Sequence, residues 1–416
     1  MLPFQPNCSH PPEHSNFVSS PNIRGTLDIL WGCLSIVFLC TWSVLRLNVP
    51  IQITSQTTPQ QFLAKCFMIW RKFKWTIAAL LAPEVILGFA LSSFTSARHN
   101  LRQMAEFVNE DSVPWTVRHS YCANMGGFAI TFDHLLEISE QAPEKMTLEK
   151  GNVWHLNADQ LSYARKAGII NRLPDVSTSA LRDKDKGDSL VVILALLQIL
   201  WLALQLLFRE LNGLTSTQLE LVTLSYAACG IVTYALNFKM PRDINVPIYL
   251  RAARYGTSEE ISAISQLHPE GVFNLVEARA SSFSFLWLSD PRIRFPSATI
   301  SRKSWLSFYV GSTFGAILLG GLHTLAWNST FPTNIEQYLW HMASLLTVAI
   351  PVSVVITVVL TAYFNITDPR VPLFIFFLPT YILVRLFCIV EAIRSLGFQP
   401  PSAFISTWAT GIPHLG

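Results

Sequence analysis

PWTVRHSYCANMGGFAITFDHLL, residues 114–136, is long enough to cross a bilayer yet carries Arg118, His119, Asn124 and Asp133. Counted as a span, it completes a set of eight; left out, it leaves seven. The chain around it has 416 residues, 50% hydrophobic and 14% charged, where soluble proteins are about a quarter charged. Runs of about 20 apolar residues, the length that crosses a hydrocarbon core, fall at 27–47, 75–95, 190–208, 217–238, 307–327, 339–364 and 373–393. Backbone in lipid must satisfy its own hydrogen bonds, so each is expected to be helical. The predicted fold is an all-α, polytopic bundle of about eight spans. No cleavable signal is visible in the polar first 26 residues, so the first span is expected to act as one.

Charge sets the expected sides. Lys65, Arg71, Lys72 and Lys74 cluster just ahead of the second run, and positive charge near span ends marks the cytosolic side. With eight spans, the basic loops 137–189 and 239–306 are also cytosolic and both termini are lumenal. Seven spans with a cytosolic amino terminus would put the Lys65–Lys74 cluster in the lumen, which favours eight. Apolar residues at three- and four-residue spacing in 158–172 and 258–281 predict short amphipathic helices lying on the membrane or capping the bundle.

Ionisable residues inside spans are functional candidates by default, because each costs several kcal/mol unless paired or solvated. Glu84 follows Pro83 near the middle of the second run, and Arg385 lies at similar depth in the last. They read as an ion pair, or Glu84 reads as a protonated general acid. Asp28, His119, Glu220, Arg209, His323, His341 and Glu391 fall toward the lumenal leaflet, with Gln198 and Gln205 facing inward. Trp31 and Trp201 lie deep enough to line a pocket, beside Tyr121, Phe128 and Tyr226; aromatic faces attract cations. Gly126-Gly127 and Gly320-Gly321 permit close backbone approach.

Seven cysteines form no CxxC pair, so neither a disulfide framework nor a zinc site is expected. No P-loop, GxGxxG, HExxH or serine elbow occurs. Residues 183–188, DKDKGD, mimic an aspartate-rich diphosphate site, but the interleaved lysines read as a solvated turn. No metal, cofactor or nucleic-acid partner is expected.

Asn22–Ile29 (NIRGTLDI), Trp115-Thr116 with His119, Met125-Gly126-Gly127-Phe128, Asp183-Lys184, Gly321-Leu322-His323 with Ala326-Trp327, and Ile412-Pro413-His414 resemble a large family of fungal multi-pass membrane proteins. Some similar proteins are membrane-bound terpene cyclases of meroterpenoid pathways. The resemblance implies proton-initiated cyclisation of a prenylated small molecule entering from the lipid. Glu84 is then the first candidate donor, Asp28 and Glu220 the next, and His119 or His323 takes the final proton. Trp31, Trp201 and Phe128 would shield the cation, with Tyr121, Arg385 and Glu391 as further lining. The alternatives are a metabolite exporter or a non-enzymatic membrane protein. The endoplasmic reticulum is the expected membrane, with sequons at Asn7 and Asn328 on the lumenal side; the oligomeric state stays open.

Overall fold

A computed structural model describes residues 17–19, 24–50, 58–132, 134–135, 153–183, 189–242, 244–267, 302–364 and 376–406. In chain order its helices are α1 (Thr26–Val44), α2 (Thr58–Leu81), α3 (Pro83–Gln103), α4 (Ala105–Asp111), α5 (Val117–Asn124), α6 (Ala158–Lys166), α7 (Thr178–Asp183), α8 (Ser189–Leu211), α9 (Gln218–Leu236), α10 (Ser258–Gln266), α11 (Arg302–His323), α12 (Asn334–Phe364) and α13 (Leu378–Arg394). Three strands, β1 (Phe128–Thr131), β2 (Val153–His155) and β3 (Ile248–Arg251), form a small sheet in the order β2-β1-β3. The fold is mostly helical, as the composition requires, but not all-α.

Among the described residues five helices, α1, α8, α9, α11 and α12, are long and apolar enough to cross a membrane. Leu190, Leu197 and Leu207 of α8 and Leu345, Ile356 and Val359 of α12 stay exposed. Such surfaces suit hydrocarbon and not water.

Residues 114–136 do not form a span. Their helix, α5, has 8 residues and stops at the glycine pair. The Gly127 N–H reaches the Cys122 carbonyl at 2.8 Å and the Gly126 N–H reaches that of Ala123 at 2.9 Å. Gly126 sits at φ 79°, the left-handed residue of a Schellman C-cap, which glycine adopts without strain. A side chain at 127 would put a Cβ 2.4 Å from Cys122 Sγ. Past this stop the β-prone FAIT becomes β1, and Asp133 lies outside the described residues.

β1 pairs antiparallel with β2 and parallel with β3. Around this sheet, α4 to α7 and α10 close a core of Phe128, Phe132, Trp154, Leu161, Leu181 and Ile264. The result is a cap on one end of the bundle. α6 and α10 are the amphipathic helices expected in the two long loops, and their apolar sides fill this core. Residues 268–281 lie outside the described residues.

Ion pairs hold the cap's surface. Asp111 accepts from Arg165 at 2.6 and 2.9 Å and from the Leu173 N–H at 2.7 Å; the Arg165 hydrogen bond holds its carboxyl below the usual range. Hydrogen bonding from Arg254, at 2.6 Å, likewise pulls Glu260 down to about 2. Because the folded carboxyl binds its proton less tightly than the unfolded one, the Glu260 contribution is fully present above the ordinary 4.5 and is lost as the pH falls toward 2. The hydrogen-exchange protection factor at the start of α10, relative to the intrinsic rate at each pH, is expected to fall over that window, and less so in Glu260→Gln.

The C-terminal ends of α1, α3 and α9 gather at the cap. Asn100 of α3 donates to Asp159 at 2.8 Å and accepts from Asn124 at 2.9 Å. The Tyr121 hydroxyl donates to Leu236 O at 3.1 Å, and the Val49 N–H to Met125 O at 3.0 Å. At the opposite end Arg24 pairs with Glu220. There Arg209 donates to the carbonyls of Thr215, Ser402, Ala403 and Ile405 at 2.6–3.0 Å, and Arg394 pairs with Glu336.

Candidate functional site

Residues 75–95, read as one straight span, are broken at Ala82-Pro83, where α2 and α3 bend by 110°. Proline offers no N–H to the preceding turn and its ring clashes with it. The last carbonyls of α2 therefore lose their helical partners. Two side chains from other helices replace them. The Tyr226 hydroxyl of α9 donates to Leu80 O. Arg385 of α13 donates through Nε to Leu81 O at 3.0 Å and through Nη2 to the Tyr226 hydroxyl at 2.7 Å.

Glu84, in the first turn of α3, accepts from the Tyr381 hydroxyl of α13 at 2.6 Å through Oε1. Glu84 and Arg385 are 1% and 0% exposed. Their expected direct ion pair does not form; two tyrosines and the helix break stand in for it. Glu84 Oε2 and Arg385 Nη1 are buried with no hydrogen-bond partner, the kind of exception that marks a site for water, substrate or stored strain.

Close packing fixes the depth of this network. Gly315 of α11 lies so near Glu84 that a Cβ there would sit 2.8 Å from the Glu84 Cα. Gly311 meets Gly88 in the same way, at 2.9 Å. Gly315, Tyr226 and Arg385 each lie about two turns, or about 12 Å, from the ends of their helices that face away from the cap. That is close to the middle of a core about 30 Å thick. A crevice lined by Cys40, Thr41, Pro83, Tyr226, Cys229 and Thr233 adjoins the network, with a volume of about 10 Å³. It has room for about one water molecule, and a prenyl chain requires it to open.

The other candidates scatter. His119 belongs to the cap: its Nδ1 accepts from the Thr116 N–H at 3.1 Å and its Nε2 donates to Val176 O at 2.7 Å. Both nitrogens are committed to the neutral ring, and burial lowers its pKa from the ordinary 6.5, so it does not open a third span or face the bundle. Phe128 stacks on Trp115 at 5.9 Å within the cap core. Tyr121 ties the cap to α9. Asp28 is exposed and accepts from the Gly25 N–H at 2.9 Å, capping α1. Trp31 is 59% exposed on the outside of α1, and Trp201 is half-buried on α8; neither lines the crevice. Glu220 is held by Arg24 and by Thr217. Glu391 lies 3.5 Å from Arg394.

His323 differs from these. Its Nδ1 donates to Leu319 O at 2.6 Å, leaving a buried Nε2 with no partner, and its ring stacks on Trp340. It is the bare base on α11, about two turns from the glycine that touches Glu84. Tyr381 was not singled out from the sequence, because an isolated tyrosine in an apolar run looks lipid-facing. The Gly311–Gly315 pair was missed too, although its small-xxx-small spacing was readable.

Residues 1–268 match the profile described as "Family of unknown function (DUF8562)". The chain belongs to that family. The match covers α1 to α10 and so includes Glu84, Tyr226, Glu220 and the cap; His323, Tyr381 and Arg385 come from the helices beyond it. No curated protein and no solved structure matches the chain.

Proposed function

We propose that the chain crosses the membrane six times, through α1, α8, α9, α11, α12 and α13, with α2 and α3 as a re-entrant hairpin whose apex carries Glu84. The 110° bend supports this, as does the meeting of the α1 and α3 C-terminal ends at the cap. α13 has 17 residues, the short limit for a crossing. Dropping two of the eight expected crossings leaves both termini on one side and both basic loops on the other. Arg98 and Arg102 join Lys65, Arg71, Lys72 and Lys74 on the basic, cytosolic side. Asn328 lies exposed on the opposite side, and Asn328→Gln is expected to reduce a glycan-dependent gel shift by one glycan. Asn7 lies outside the described residues.

On this reading the protein acts as a membrane-bound terpene cyclase of fungal meroterpenoid biosynthesis in the endoplasmic reticulum. The carrying observation is the Glu84 carboxyl, buried at mid-membrane depth with one oxygen held by Tyr381 and the other bare. A protonated carboxyl there donates the starting proton to an olefin or epoxide, and the bare His323 Nε2 takes the final one. Arg385 and Tyr226 position the apex. Membranes containing the protein, incubated with prenylated phenols, are expected to yield a cyclised product of unchanged mass. Glu84→Gln should lower its formation by about 10²–10⁴-fold, the scale of a general acid. Undiminished product in that variant would remove Glu84 from the role.

A second reading, an exporter, is favoured by the broken helix itself, since transporters build midplane sites from discontinuous helices. Accumulation of the same phenols in sealed vesicles at unchanged structure would select it.

A further inference from the structure

α2 holds a surface that the Glu84 site does not use. Its 24 residues include Lys65, Arg71, Lys72 and Lys74 and no acidic residue. Phe62, Cys66, Ile69, Phe73 and Ile77 recur at four- and three-residue spacing and so share one helical face. All are exposed, with Phe62 at 67% and Ile69 at 66%, so this stripe points away from the protein. Toward its end at the bundle α2 sinks into the protein, where Thr76 and Ala79 are buried.

The basic residues divide accordingly. Arg71 donates to Asn48 O at 2.6 Å, and the Lys72 ammonium lies 4.6 Å from the Trp42 ring centroid on α1. These two anchor α2 to its neighbours. Lys65 and Lys74 are exposed and, at 100° per residue, flank the apolar stripe on its two edges. An outward apolar stripe edged by lysines is the pattern of a helix that meets lipid, here rising from the mid-membrane apex toward the interface, where long cationic side chains reach up to phosphates.

We propose that α2 is a binding arm for anionic phospholipid headgroups, with Phe62, Ile69, Phe73 and Ile77 in the acyl region and Lys65 and Lys74 on the phosphates. The arm has this role whether or not Glu84 is an acid. The net positive charge selects anionic over zwitterionic lipid, because nothing on α2 offers an anion to a choline group. Each lysine near such a surface contributes about 1 kcal/mol, or about fivefold in binding.

The test uses the full chain in neutral detergent, with Cys8 replaced by serine and an environment-sensitive dye on Cys66 in the stripe. Short-chain phosphatidylglycerol is expected to shift the dye's emission at lower concentration than phosphatidylcholine, and added salt should erase the difference. Lys65→Gln with Lys74→Gln should weaken the phosphatidylglycerol titration by about fivefold per lysine, while Lys65→Arg with Lys74→Arg should retain it. Inorganic phosphate at matched ionic strength should not compete. Equal titrations for the two lipids, a preference unchanged in the glutamine variant, or competition by inorganic phosphate would overturn the proposal.

Discussion

Arg385→Leu is expected to lower unfolding stability by about 3–5 kcal/mol, the scale for removing one partner from a buried charged network. The loss has three sources. Leu81 O at the end of α2 is left without its donor, Tyr226 loses the Nη2 contact, and the Glu84 carboxyl loses the nearby positive charge. Tyr226→Phe removes one hydroxyl and leaves Leu80 O bare, for a smaller cost of about 1–3 kcal/mol. Unfolding in mixed micelles, followed by tryptophan fluorescence, measures both. A loss for Arg385→Leu no larger than that of a lipid-facing substitution such as Leu383→Ala would mean that the helix break is capped some other way.

The second large effect is expected at the α3–α11 crossing. Gly311→Ala brings a methyl group to 2.9 Å from Gly88 Cα, and Gly315→Ala brings one to 2.7 Å from Glu84 Cβ. The neighbours are backbone or the stem of a side chain, so relief requires the helices to separate. Overpacking of this kind costs about 1–3 kcal/mol for each site. Gly315→Ala should also shift Glu84 from Tyr381, reducing any activity of the site more than Gly311→Ala does. Gly321→Ala is the control: nothing lies within 4 Å of its added methyl, and replacing a helical glycine there should be neutral or stabilising by about 0.5–1 kcal/mol.

Much of the membrane layout was legible. Long apolar runs announced α1, α8, α9, α11 and α12, because continuous hydrophobicity over about 20 residues has one structural outcome in lipid. Glu84 and Arg385 stood out because charges in such runs are costly. Hydropathy averages over backbone, however, and so hid both breaks. Pro83 interrupts 75–95 without lowering its mean apolarity, and the glycine pair ends 114–136 halfway. Once the chain turns at Gly126-Gly127, His119 and Phe128 face a separate cap core, so their nearness in sequence to a supposed span had no spatial meaning. The three strands are too short to show a period of two. Tyr226 reads from the sequence as a pocket aromatic and does line the crevice, but its bond to Leu80 O, and Tyr381 altogether, needed the fold, because what makes them matter is the carbonyl and carboxyl that other helices bring to them.

Sidedness of the segment between α3 and α5 separates the re-entrant hairpin from eight spans most directly. In a chain with Cys8 and Cys66 replaced by serine, single cysteines at Glu106, Lys166 and Asn328 can be probed with an impermeant maleimide in sealed microsomes. Glu106 is exposed on α4, at the cap end of α3. With α2 and α3 returning to the same side, Glu106→Cys is expected to react without detergent, as readily as Lys166→Cys, while Asn328→Cys reacts only after permeabilisation. Protection of Glu106→Cys until detergent is added would place that segment in the lumen and contradict the hairpin.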